Sequence, residues 1–154
     1  MSRDMKFTIA LAQIDSVIGD VKKNVKKHLE YIRRAKEGGA DLIVFPELGL
    51  SGYSIKDITW DAAINTDDTK VLSEMRMESN DIAIIFGCVE ESNDFGIYNS
   101  AFFLEKGKVA HVHRKVYPPT YGMFEEMRYF SQGKTVRACT SSLGRIGVLI
   151  CEDL

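Results

Sequence analysis

The apolar residues of this chain fall into blocks whose period changes along its length. Phe7 to Gln13 is a short apolar run that reads as a central strand. After a turn at Gly19-Asp20, Val21, Val25, Leu29 and Ile32 recur near helical spacing, with Ala35 close behind. The pattern predicts a helix to Glu37, capped by Asp20 and stopped by Gly38-Gly39. Leu42 to Phe45 is a second buried strand, closed by Pro46. Strand, helix and strand in that order predict a right-handed parallel unit. Residues 49–66 read as loop with one short helix, and Asp67 to Ser79 as a second helix carrying Val71, Leu72 and Met75.

The period then changes. Ile82 to Glu90, Ile97 to Glu105 and Lys108 to Lys115 read as strands. The turn-formers Asn93-Asp94-Phe95-Gly96 and Lys106-Gly107 separate them, which predicts antiparallel pairing. Val116 to Gly133 is a long loop rich in aromatic and polar groups. Thr135 to Thr140 and Ile146 to Cys151 complete the strands around a turn at Leu143-Gly144. The predicted class is α/β with a mixed sheet. The last strand has apolar or small residues on both faces and calls for cover on both.

Composition narrows the reading without redirecting it. The 154 residues suffice for one domain, 1–154, with 45% hydrophobic and 27% charged residues. A net charge of −2 supplies no general pull toward nucleic acid or a membrane surface. No apolar run approaches membrane-spanning length, and no secretory signal follows Met1. Cys88, Cys139 and Cys151 are scattered and odd in number, which fits a reducing cytoplasm better than a disulfide framework.

Chemistry concentrates at strand ends. Glu47 follows the second strand, Lys115 ends the fifth predicted strand in His113-Arg114-Lys115, and Cys151 ends the last strand. In open α/β sheets the active crevice lies outside the carboxyl ends of the strands. Singly, each residue reads as ordinary: a solvated acid, an exposed lysine, a small core thiol. Together they form a working set. The carboxylate takes a proton from the thiol, the thiolate attacks a carbonyl, and the ammonium stabilises the oxyanion.

Three stretches carry a family resemblance. They are Phe45-Pro-Glu-Leu-Gly-Leu-Ser-Gly-Tyr53, then Arg114-Lys115 with the downstream run Tyr121 to Phe130, then Gly147-Val-Leu-Ile-Cys-Glu-Asp-Leu154. In this order they resemble the nitrilase superfamily of carbon–nitrogen hydrolases, over Lys6 to Leu154. The Cys-Glu-Asp-Leu ending and the setting of Tyr121 resemble most the glutamine-hydrolysing domain of glutamine-dependent NAD synthetases. The resemblance implies a Glu-Lys-Cys triad with Glu47 as general base, Lys115 as oxyanion donor and Cys151 as nucleophile. It further implies that Glu126 positions the lysine and water, that the backbone N–H of Glu152 is a second oxyanion donor, and that Tyr121 contacts substrate.

The implied fold is the four-layer αββα sandwich, of which residues 1–154 form roughly the N-terminal half. The implied reaction is hydrolysis of glutamine or a small ω-amide through a thioester, with ammonia released and no metal or cofactor required. The expected partners are the small-molecule amide, a second copy or the missing C-terminal half, and a synthetase domain. With only three residues after Cys151, nothing downstream is expected to hold the Glu152 N–H. These residues alone are therefore expected to show little amidase activity and to associate through an uncovered sheet face. The contrasting expectation is a non-catalytic relative that serves as an assembly module.

Other signals weigh less. Gly133-Lys134-Thr135 resembles the end of a phosphate loop, but Arg128 stands where that loop requires glycine. His111 and His113 share a strand face and define a metal-binding alternative, yet no third ligand has suitable spacing. The basic residues of the first helix, interleaved with Glu30 and Glu37, read as a solvated face.

Overall fold

The computed structural model describes residues 6–65 and 69–154. Its strands are β1 (Ile9–Leu11), β2 (Leu42–Val44), β3 (Ile64–Asn65), β4 (Ala83–Glu91), β5 (Ile97–Glu105), β6 (Lys108–Arg114), β7 (Ala138–Ser141) and β8 (Gly144–Gly147). The helices are α1 (Val21–Glu37), α2 (Thr69–Glu78) and the single turn α3 (Glu126–Tyr129). The main sheet runs β1-β2-β4-β5-β6, with β3 alongside β4. β1, β2 and β4 are parallel, and β4, β5 and β6 are antiparallel. The mixed sheet expected from the change of period is present.

Helix α1 begins where the Asp20 carboxylate accepts from the Lys23 N–H at 3.0 Å, and ends before Gly39, which takes a φ of 72°. Its buried stripe of Val25, Leu29, Ile32 and Ala35 packs with Leu72 and Met75 of α2 on one face of the sheet. The strands meet that face with Ile43, Ile84, Phe86, Phe102 and Leu104. The opposite face presents Leu42, Ala83, Ile85, Ala101 and Phe103. There Val148 and Ile150, just beyond the β7–β8 ribbon, supply cover. The alternation of β4 and β5 thus feeds two cores from one pair of strands.

Several boundaries differ from expectation. The Phe7 to Gln13 run is not a central strand: β1 lies at the sheet edge, and Ile9 and Leu11 are 47% and 80% exposed. Both parities of that run are apolar, so its composition carries no edge signal. The loop after Pro46 contains a 3-10 turn at Lys56–Ile58 and also the short strand β3. The second helix runs Thr69–Glu78; Asp67 and Asp68, at the start of the predicted span, lie outside the described residues. The long loop includes α3.

The largest correction concerns the last strand. β8 stops at Gly147, and Cys151 lies three residues past Val148 in a separate 3-10 turn, Cys151–Asp153. Only one parity of this stretch is covered: Val148 and Ile150 are buried, whereas Leu149 is 39% exposed. No helix among the described residues is long and apolar enough to cross a membrane.

Candidate active site

Two strand ends bring the charged groups together. Glu47 follows β2 in a loop laid directly on β4. A Cβ at Gly87 would stand 2.4 Å from the Leu48 nitrogen and 2.8 Å from the Pro46 oxygen, so this approach requires glycine. The Leu50 N–H donates to the Gly87 carbonyl at 3.0 Å and fixes the loop's height. Leu48 takes a φ of 51°, one of five described non-glycine residues with positive φ. Such a conformation costs roughly 1–3 kcal/mol and turns the chain immediately after Glu47.

Lys115 closes β6, where its N–H donates to the Asn99 carbonyl of β5 at 2.8 Å. Its side chain is 1% exposed. The ammonium donates to Glu47 Oε1 at 2.7 Å and to Glu126 Oε1 at 3.0 Å. Glu126 is presented by α3, and the Tyr53 hydroxyl donates to it at 2.7 Å. Asn99 Nδ2 donates to the same Glu47 Oε1 at 2.7 Å. Burial works against the Lys115 charge, but the bonds to Glu47 and Glu126 outweigh it and hold the pKa above the usual lysine range. Burial, then Glu126, push the Tyr53 hydroxyl well above its usual range, with smaller contributions from the Glu47 and Cys151 charges. Both bonds to Glu47 end on Oε1, and no donor among the described residues reaches Oε2. One lysine N–H also remains uncommitted after two of its three are used.

Cys151 is exposed, takes a φ of 49°, and lines the same cavity of about 530 Å³ as Glu47. The Asp153 and Leu154 N–H groups fold back onto the Ile150 and Cys151 carbonyls at 3.1 and 3.3 Å. The Glu152 N–H takes no part in that pattern. The Glu152 carboxylate beside the Tyr121 hydroxyl raises its pKa, and the Cys151 charge adds to the effect. Tyr121 is 57% exposed, at the rim of the site.

The structure therefore brings Glu47, Lys115 and Glu126 into direct contact, places Cys151 on the cavity that Glu47 lines, and sets Tyr121 beside the residue after the thiol. Four contributors were missed from sequence: Tyr53, Asn99, His113 and Asp153. Asn99 carried a readable signal, being a lone amide inside the apolar run of β5. The expectation that nothing holds the Cys151 turn is overturned. The Asp153 side chain is fully buried and accepts from His113 Nε2 at 2.7 Å, the Val116 N–H at 2.8 Å, the Tyr117 N–H at 3.0 Å and the Ile150 N–H at 3.1 Å. His113, one of the two histidines of the metal-binding alternative, is thus committed to a carboxylate. No group of three or more metal-ligating side chains occurs among the described residues.

A thiol and a carboxylate on one cavity, the carboxylate paired with a buried ammonium, define a site suited to attack on a carbonyl. The sequence pattern of the carbon–nitrogen hydrolases matches residues 8–154, and the chain belongs to that family. It is 37% identical over 148 residues to the glutamine-dependent NAD(+) synthetase of Acinetobacter baylyi and 32% identical over 151 residues to that of Thermotoga maritima. These alignments cover 96% and 97% of this chain but 27% and 26% of the relatives, so the chain spans about a quarter of their length. Among solved structures, the glutamine-dependent NAD+ synthetase of Acinetobacter baumannii aligns with a TM-score of 0.81 at 36% identity, over 95% of this chain and 28% of that one. Nit3 of Saccharomyces cerevisiae, a member of the nitrilase superfamily, aligns with a TM-score of 0.77 at 25% identity, over 94% and 55%. The fold is that of the nitrilase superfamily, and this chain corresponds to roughly its N-terminal half.

Proposed function

We propose that residues 1–154 carry the reactive half of a carbon–nitrogen hydrolase domain that releases ammonia from glutamine or a small ω-amide. Cys151 Sγ attacks the amide carbon as Glu47 takes the thiol proton. The uncommitted Lys115 N–H and the Glu152 backbone N–H stabilise the oxyanion. Glu47 returns its proton to the leaving nitrogen, ammonia departs, and a thioester remains. Water that gives a proton to Glu47 then hydrolyses the thioester and frees the thiol. Glu126 holds Lys115 in place, and Tyr121 meets the substrate at the rim.

The observation that carries this reading is the 2.7 Å contact of Lys115 with Glu47 on the cavity that Cys151 also lines. The likeness to NAD synthetases supports glutamine as substrate, a synthetase domain as the consumer of ammonia, and a cytoplasmic setting. The apolar lining of that cavity, including Ile9, Val44 and Leu149, supports a second layer on this face, from a longer protein or a second copy.

Ammonia release from glutamine tests the reading, measured for these residues alone and joined to the remainder of a related synthetase. Little release is expected from the first and Cys151-dependent release from the second. Equal release from the joined protein carrying Cys151→Ala would overturn it. Sedimentation of the 154 residues should show self-association; a monodisperse monomer with full turnover would contradict the need for a second layer.

A further inference from the structure

We propose that Asp153 is a positioning residue for Cys151, and that His113 positions Asp153 in turn; the inference rests on the nucleophile reading of Cys151. All four donors to this carboxylate flank the chemistry. Val116 and Tyr117 directly follow Lys115, His113 precedes it by two residues, and Ile150 directly precedes Cys151. One side chain thus ties the end of β6 to the turn that presents the thiol. The two arms of the site come from different sheets, since β6 belongs to the main sheet and the Cys151 turn follows the β7–β8 ribbon. Asp153 is the polar bridge between them.

A buried carboxylate is costly unless its lone pairs are filled, and here four donors fill them. Burial works to raise the Asp153 pKa, but the bonds from His113, Ile150, Tyr117 and Val116 outweigh it and hold it below the usual range. The charge next to the thiol is therefore absorbed by N–H groups. The turn itself needs such a restraint, because Cys151 occupies the left-handed region without being glycine. His113 is 2% exposed, and its Nδ1 is buried without a partner. The ring's polar contribution therefore runs through Nε2–H alone, toward Asp153.

The test uses two readouts on the whole chain. Backbone amide exchange reports the tie itself. The lifetime of the acetyl thioester formed at Cys151 with 4-nitrophenyl acetate reports alignment of the site, and it is read on protein whose Phe86 and Phe102 amides stay protected, so that general unfolding does not account for a longer lifetime. Asp153→Ala is expected to release the Val116, Tyr117 and Ile150 amides together while Phe86 and Phe102 stay protected, and to lengthen the thioester lifetime about tenfold or more. His113→Ala is expected to act in the same direction, and His113→Gln, which keeps a donor near the Nε2 position, to restore both readouts. Unchanged amides and lifetime in Asp153→Ala would overturn the proposal, as would His113→Gln behaving like His113→Ala. If Asp153→Ala does not fold, the His113 pair decides. If the wild-type thioester lives as long as that of Glu47→Gln, the failure belongs to the Glu47 reading, and amide protection still decides whether Asp153 holds the turn.

Discussion

The Lys115 side and the Cys151 side of the site are built in opposite ways. Lys115 follows β6, the edge strand paired antiparallel with β5, yet it is almost wholly buried, and each of its neighbours is held by a further group: Glu47 by Asn99 and Glu126 by Tyr53. Cys151 stands exposed on a 3-10 turn beyond a two-stranded ribbon. The turn reaches the main sheet through Val148 and Ile150 and through the single carboxylate of Asp153. The Lys115 side is therefore embedded in the fold's stability, whereas the Cys151 turn is a light attachment. Substitutions on the two sides should separate accordingly.

The sharpest break comes from Lys115→Met. It leaves Glu47 and Glu126 facing each other without a cation, and breaking a buried pair costs about 3–5 kcal/mol. Urea unfolding should show that loss, while Cys151→Ser should stay within roughly 0.5 kcal/mol of wild type. Comparable losses in both would erase the distinction.

The next effect lies behind the Glu47 loop. His28 is buried, stacks on Phe45 at 4.1 Å between centroids, and has its pKa lowered to about 4, first by burial. The unfolded chain takes up this proton near the ordinary histidine value of 6.5, so it binds more protons than the folded chain between the two values. Stability is then full above pH 6.5 and falls as pH drops toward about 4, by about 3 kcal/mol in total. His28→Phe should flatten that slope in unfolding curves recorded across the window; an unchanged slope would remove His28 from the account.

Gly87→Ala forces a Cβ into the backbone that carries Glu47 and should cost about 1–3 kcal/mol. Its amide shifts should centre on Pro46 to Leu50 and leave the Cys151 turn in place. The smallest effect is Tyr53→Phe, which removes one donor to Glu126 and should cost about 1 kcal/mol in thermal unfolding. A shift of the same size from Tyr121→Phe, at the exposed rim, would show that the inner network is no tighter than the outer one.

How far the sequence led differs between these regions for physical reasons. Helix α1 was legible because its stripe and both of its ends are local signals. Glu47 and Lys115 were legible because each stands where an apolar run stops. Ile146 to Ile150 misled, because Gly147 and Leu149 are small or apolar like the residues that face the sheet, so parity gave no direction. Nothing local marks the role of Asp153. Its partners His113, Val116 and Tyr117 lie 36 to 40 residues earlier, and only the folded chain brings them to it.

The central claim is that Glu47 and Cys151 act on one substrate atom in turn. The lifetime of acetyl-Cys151, followed by intact mass and peptide mapping after a brief exposure to 4-nitrophenyl acetate, tests it without requiring a complete amide pocket. If Glu47 activates the hydrolytic water, the thioester should decay at least about 100-fold faster in the wild type than in Glu47→Gln. Equal lifetimes in the two proteins, or an acetyl group found first on Cys139, would contradict it.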